Sequence, residues 1–382
     1  MFTEEDAEMI NGSLEIFYKM YDKLRGMSLK IATTDIDSLG ERIRKRTFGK
    51  ETKDTTFLDI FIEDALALGK RIDATGHHSL FKDVYGKDGV LILEEQGKIE
   101  SSRIEHDTPV IISDPLDGST NLANLIDECS DCKTMGEIFD KAVNELGEER
   151  AKREACTSSI TLIKDNMIKY SLILNLFNGD AILAYPKGVF VNNINKRPVL
   201  EDFVDKVEFR EDYNDEKRYH LLCYTGREEY KNNLRGTLLR FFILDDEIKF
   251  KSGPMRFAYL TQTEDKNIPK VGLIAHNGEK IQEFLPNIAV ALFSKGNLQA
   301  YKLFCDPKYT EQRSGKQLTP TIANSLFSDG LIPNMGIKST FLNNYDYPSE
   351  FRDSTIIISS ENEAARRVMF SMAVQKDAVR IV

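Results

Sequence analysis

The sequence predicts a mixed α and β fold, and three observations carry that prediction. Apolar residues recur at helical spacing over 5–25, and the segment 57–68 is helix-like. Short apolar runs at 90–93 and 110–112 each lead within two residues to acidic residues, as in strands that deliver ligands at their ends. Three longer apolar runs, 158–163, 167–177 and 180–191, are broken by the turn dipeptides Asp165-Asn166 and Asn178-Gly179.

In chain order, Ile10, Leu14, Phe17, Tyr21 and Leu24 form one face of the first helix. Residues 57–68 (FLDIFIEDALAL) read as a second helix, with Gly69 near its C-terminal end. Segment 122–155 is polar and charged, with a helical stretch over 135–146, and reads as an insertion. The runs between 158 and 191 are expected as three consecutive antiparallel strands. Later segments predict strands near 220–224 and 271–274, a helix over 286–293, a strand over 354–359 and a terminal helix over 361–374. A boundary near 205 would divide an N-terminal metal-binding lobe, 1–204, from a C-terminal α/β lobe, 205–382.

A chain of 382 residues can bury a substantial core as one large domain or two fused lobes. No apolar run approaches the roughly 20 residues that span a bilayer. The start, Met1-Phe2-Thr3-Glu4-Glu5-Asp6, lacks the basic and apolar regions of a signal peptide, so no membrane association and a cytoplasmic location are expected. The net charge of −10, with no basic stripe, argues against nucleic acid polymers, whose binding needs clustered Lys and Arg. It does not argue against an anionic small molecule, because bound divalent cations reverse the local field. Five cysteines, an odd count, point to reduced thiols. Cys129-x-x-Cys132 lacks the second pair a zinc site requires.

The chemistry concentrates in Ile112-Ser113-Asp114-Pro115-Leu116-Asp117-Gly118-Ser119-Thr120-Asn121. Two aspartates three apart, at the mouth of a strand, can point at one position. Hard cations such as Mg2+ take carboxylate and carbonyl oxygens, and the Leu116 carbonyl lies between the two acids. The amides of Gly118, Ser119 and Thr120 would open a helix, a ready site for phosphate. Upstream, Glu94-Glu95 ends the preceding apolar run and adds carboxylates.

The motif DPLDGSTN with the upstream glutamate pair resembles the metal-binding signature of the inositol monophosphatase and fructose-1,6-bisphosphatase superfamily, the metal-dependent, lithium-sensitive phosphatases that include bisphosphate nucleotidases. Thr56-Phe57-Leu58-Asp59 resembles that family's T-x-x-D, and Lys251-Ser252-Gly253-Pro254-Met255 its Gly-Ser turn. The resemblance runs from about residue 54 to residue 300. It implies layers of alternating helices and mixed β-sheets, the sugar-phosphatase arrangement, and a homo-oligomer.

The resemblance also implies roles. Glu94, Asp114, Leu116 through its carbonyl, Asp117 and Glu283 would hold two or three Mg2+ ions. Asp59 and Glu95 would hold a further ion or position the attacking water, and Ser119 would share that water's proton with Asp59. Gly118, Ser119 and Thr120 would grip the phosphoryl group. The family's late Trp-Asp is absent, and two alignments compete for its place. Glu283 keeps a negative charge and matches a Glu-x-x-Pro pattern; in the other alignment Asn287 stands there and one site loses a charge. The expected activity is phosphate monoester hydrolysis on a small phosphorylated metabolite, with inositol, sugar and nucleotide phosphates left open. The alternative is a family member whose metal cluster has decayed and which binds a ligand or partner.

Overall fold

The computed structural model describes residues 2–32, 58, 61–62, 84–85, 89–93, 97–99, 104–105, 107–129, 131–148, 151, 155–165, 167–207, 219–223, 242–244, 271–273, 281–294, 299–303 and 355–359. The expected terminal helix, 361–374, lies outside them.

Helix α1 (Glu4–Arg25) starts at a capping box. The Asp6 amide donates to Thr3 Oγ1 at 3.1 Å, and the Thr3 amide donates to the Asp6 carboxylate at 2.8 Å. Its apolar face is the one the periodicity predicts, with Ile10, Leu14, Phe17, Tyr21 and Leu24 all buried. Burial of each large side chain stabilises the fold by about 1.5–3 kcal/mol. A short helix, α2 (Leu29–Ala32), follows. Leu58, Phe61 and Ile62 are helical and buried, as the second predicted helix requires.

Seven strands form one mixed sheet in the order β2-β1-β3-β4-β5-β6-β7. They are β1 (Val90–Leu93), β2 (Gly97–Ile99), β3 (Val110–Asp117), β4 (Thr157–Lys164), β5 (Met167–Asn175), β6 (Asp180–Tyr185) and β7 (Gly188–Asn193). β1 and β3 run parallel, whereas β3 to β7 form an antiparallel meander. The run 180–191, expected as one strand, is instead a hairpin. Pro186-Lys187 forms its two-residue loop inside the Tyr185–Gly188 pair. A proline cannot donate to a central ladder, so the strand turns back where its hydrogen bonding fails. Two smaller sheets consist of β8 (Tyr219–Cys223) between β10 (Val271–Leu273) and β9 (Phe242–Leu244), and of β11 (Gln299–Leu303) paired with β12 (Thr355–Ser359).

Both faces of the large sheet are covered, which explains why its strands read as continuous apolar runs. One face, with Ile111, Ile160, Leu172 and Leu183, joins α1 in a single apolar cluster. The alternate residues Ile112, Thr161, Ile173 and Ile182 are buried on the opposite face, beneath α5 (Ile281–Phe293). α5 also meets β11 and β12, so helix and sheet layers alternate through the molecule. It begins five residues before the predicted start and carries Pro286 inside it. An interior proline forfeits one backbone hydrogen bond. Burial of Leu285, Ala289 and Val290 offsets that loss.

The described residues of segment 122–155 contribute to the core. They form α3 (Ser119–Glu128) and α4 (Met135–Leu146), and α4 buries Met135, Ile138, Phe139 and Ala142 in the α1 cluster. The Phe139 and Phe177 rings stack with centroids 5.8 Å apart. The Met135 amide donates to the Met27 carbonyl at 2.9 Å, and Arg25 holds both Asp140 oxygens at 2.8 and 2.9 Å. A Cβ on Gly136 would come within 3.0 Å of the Arg25 carbonyl, so glycine permits this approach.

α1 is tied to the sheet by buried hydroxyls. Ser13 donates to the Met9 carbonyl at 2.7 Å, bonds the Tyr170 hydroxyl at 2.6 Å and also meets that of Tyr85. Burial pushes the Tyr85 phenol up and that of Tyr170 well above the usual tyrosine range.

Candidate metal and phosphate site

β3 carries the two aspartates, and its pairing decides where they point. Asp114 lies opposite Ser159 and Asp117 opposite Thr157, with a register shift between them. β3 spends three residues where β4 spends two, so Pro115-Leu116 contains a bulge. In a regular strand, residues three apart face opposite sides of the sheet. The extra residue reverses that alternation, because Ser159 and Thr157 share a face and their partners share it with them. Asp114 and Asp117 therefore both stand on the face that α5 covers. Pro115 is compatible with the bulge because a bulged residue owes the ladder no amide.

Asp114 is 1% exposed, and Asp117 is half-buried. A carboxylate buried to this degree stays charged only where hydrogen-bond donors or cations meet it. Two such groups at one strand end, with the Leu116 carbonyl between them, offer hard oxygen donors of the kind Mg2+ takes. The described residues of this donor set fit a divalent cation by that chemistry. Among the described residues, no group of three or more His, Cys, Asp or Glu gathers at one point. Glu94 and Glu95 come directly after Leu93, which pairs with Ser113 beside Asp114. They and Asp59 lie outside the described residues.

After Asp117 the chain leaves the sheet at Gly118, which has φ 86° and ψ 21°, the left-handed region that glycine adopts without a side-chain clash. Gly118 is the N-cap of α3 and brings no capping side chain. Its carbonyl accepts from the Asn121 amide at 2.9 Å and the Leu122 amide at 3.1 Å. The amides of Ser119 and Thr120 thus open the helix ahead of the first intrahelical bonds, as phosphate-binding amides do. Ser119 is half-buried.

α5 packs over β3 to β7 on the same face as the two aspartates. Glu283 is its third residue, and Asn287 follows one helical turn later. Asn287 is buried. Both rivals for the missing aspartate therefore occur on one helix.

Sequence reasoning missed two residues of β4 and its approach. Ser159 is buried opposite Asp114, and its hydroxyl has no hydrogen-bond partner among the described residues. Cys156 is buried beneath Gly118 and donates to its carbonyl at 3.2 Å. Neither carries a sequence signal, because both act through the pairing of strands some forty residues apart. Cys129 is buried, and burial raises its thiol pKa, the reverse of an activated thiolate.

No protein-family model and no curated protein matches the chain. Solved structures do. A hypothetical protein from Pyrococcus horikoshii, described as having similarities to inositol-1 monophosphatase, is 15% identical over 88% of this chain and 93% of its own, with a TM-score of 0.46. The extragenic suppressor protein SuhB from Bartonella henselae is 13% identical over 93% and 98%, also at 0.46. Inositol monophosphatase from Anabaena is 11% identical over 91% and 96%, again at 0.46. What these proteins act on does not transfer at such identities.

Proposed function

We propose that this protein is a Mg2+-dependent phosphoric monoester hydrolase acting on a small phosphorylated metabolite. The observation that carries the reading is a single stretch of chain. A bulged strand presents Asp114 and Asp117 on one face and passes through left-handed Gly118 into the open N-terminus of α3. Cation ligands and phosphate-binding amides are thereby adjacent.

In this reading Asp114, Asp117 and the Leu116 carbonyl hold the metal, joined by Glu94 and by Glu283 from α5. Mg2+ supplies charge neutralisation of the phosphoryl group and acidifies the attacking water. The chain's own groups do the rest. Asp59 and Glu95 would orient that water, and the Ser119 hydroxyl would pass its proton to the Asp59 carboxylate. The amides of Gly118, Ser119 and Thr120 hold the phosphoryl oxygens as charge shifts during in-line displacement. The bond from phosphorus to the ester oxygen breaks as the bond to the water oxygen forms, and the departing alkoxide takes up a proton from solvent water. A small-metabolite substrate, a cytoplasmic location and a homo-oligomer belong to the same proposal.

Phosphate release from inositol phosphates, fructose bisphosphate and 3′-phosphoadenosine compounds, with and without Mg2+, tests it. Release that requires Mg2+ and falls with Li+ is expected. No release from any ester, with no Mg2+ uptake in calorimetry, would overturn it in favour of a ligand-binding protein without turnover.

A further inference from the structure

The ladder between β3 and β4 ends at the Asp117–Thr157 pair. A continued strand would next pair Gly118 with Cys156, but Gly118 has turned left-handed and left the sheet. Cys156 stays with the sheet: its carbonyl accepts the Leu176 amide at 2.9 Å, which anchors it toward β5. Its thiol then donates to the Gly118 carbonyl at 3.2 Å, in the place of the missing main-chain rung. Cys156 is fully buried, with 0% exposure, whereas Gly118 is half-buried.

The direction of that carbonyl matters because a peptide unit is planar and trans. The oxygen of Gly118 and the amide hydrogen of Ser119 belong to one plane and point opposite ways. Whatever holds the carbonyl inward, toward Cys156 and the first turn of α3, holds the Ser119 amide outward at the helix N-terminus. The carbonyl is gripped from two sides, by the Asn121 and Leu122 amides within the helix and by the Cys156 thiol from the sheet. Of these three donors, the thiol is the one that comes from the sheet.

We propose that Cys156 is a positioning residue for phosphate recognition. It orients the Gly118–Ser119 peptide, and through it the Ser119 amide, relative to the aspartates. The ligand side of this inference rests on the phosphatase reading above; the positioning of the turn does not. A thiol–carbonyl bond is weak, so its loss is expected to lower phosphate affinity about two- to fivefold. The competing role is that of a small buried hydrophobe, which a free cysteine commonly fills.

The full chain with Cys156→Ala or Cys156→Ser separates the two roles. Calorimetry with inorganic phosphate in Mg2+ buffer is expected to show two- to fivefold weaker binding for Cys156→Ala, with unchanged Mg2+ affinity. Cys156→Ser, which restores a donor, should bind within twofold of wild type. In the metal-free protein, exchange of the Asn121 and Leu122 amides should rise by the same factor in the alanine variant and return in the serine variant. Phosphate affinity and exchange that match wild type in Cys156→Ala would overturn the proposal, even if thermal stability falls. If wild type binds no phosphate, the phosphatase reading fails. Exchange then decides the positioning role alone, and Cys156→Val, an apolar side chain of similar size with no donor, takes the place of the alanine variant in both measurements if that one does not fold.

Discussion

Asp114→Asn sets the metal reading against simple structure, because the two make opposite demands on one side chain. The wild-type carboxylate is almost wholly buried and shares its face of the sheet with Asp117. Two carboxylates on one face of a strand repel when both are charged, by roughly 1–2 kcal/mol at the effective dielectric of a protein site. Replacing one by a neutral amide of the same shape removes that repulsion, so the metal-free variant should be at least as stable as wild type. Mg2+ reverses the comparison. At a concentration 100 times its Kd, a ligand stabilises the folded state by about 2.7 kcal/mol. For a chain of 382 residues that raises Tm by about 3 °C. The asparagine variant should show little of this rise. Turnover should fall by at least about 100-fold, beyond the about 10–100-fold that losing a group behind a metal ligand costs. Scanning calorimetry with and without Mg2+, run beside phosphate release, reads all three quantities. A folded Asp114→Asn protein that keeps its Mg2+-induced rise, or hydrolyses substrate within tenfold of wild type, would refute the assignment.

Three further expectations address the frame around the site. Phe139→Ala should destabilise the chain by about 3–5 kcal/mol in denaturant melts, because the ring is buried against Phe177; a loss under about 1 kcal/mol would make segment 122–155 a surface addition. Ser159→Ala removes a buried hydroxyl that has no partner among the described residues, so stability should be unchanged or rise by up to about 1 kcal/mol; a clear loss in thermal melts would mean that the hydroxyl donates across the ladder to Asp114. Tyr170→Phe breaks hydrogen bonds to Ser13 and to the Met9 carbonyl and should cost about 1–2 kcal/mol at neutral pH. Burial holds the Tyr170 proton well above its usual pKa. Its contribution is therefore full below about pH 10, where unfolded tyrosine begins to ionise, and fades as pH rises through the raised value. Alkaline melts of the phenylalanine variant should fall less steeply than wild type, and parallel curves would contradict this.

Much of the fold was legible because local patterns and the final structure agree. The capped, one-faced helix at the N-terminus and the meander of apolar runs needed only period and turn chemistry. The errors arose where a single residue changes direction: Pro186 splits one apolar run into two strands, and Pro286 lies within a helix expected to begin at it. The polarity of 122–155 concealed a helix that buries one apolar face, since a charged outer face dominates its composition.

Of the site, the sequence by itself determined the chemistry: two carboxylates, a carbonyl between them, a glycine that can turn left-handed and amides that follow it. Those features are local and survive reading one residue at a time. Only the tertiary structure decided that the carboxylates share a face, because that depends on a bulge, and a bulge exists only relative to a partner strand. It likewise decided that Cys156 sits beneath Gly118 and that α5 packs on the strand that carries Asp114. Residues some forty to one hundred and seventy positions apart are brought together by strand register and by burial of both sheet faces, and no local pattern encodes that pairing.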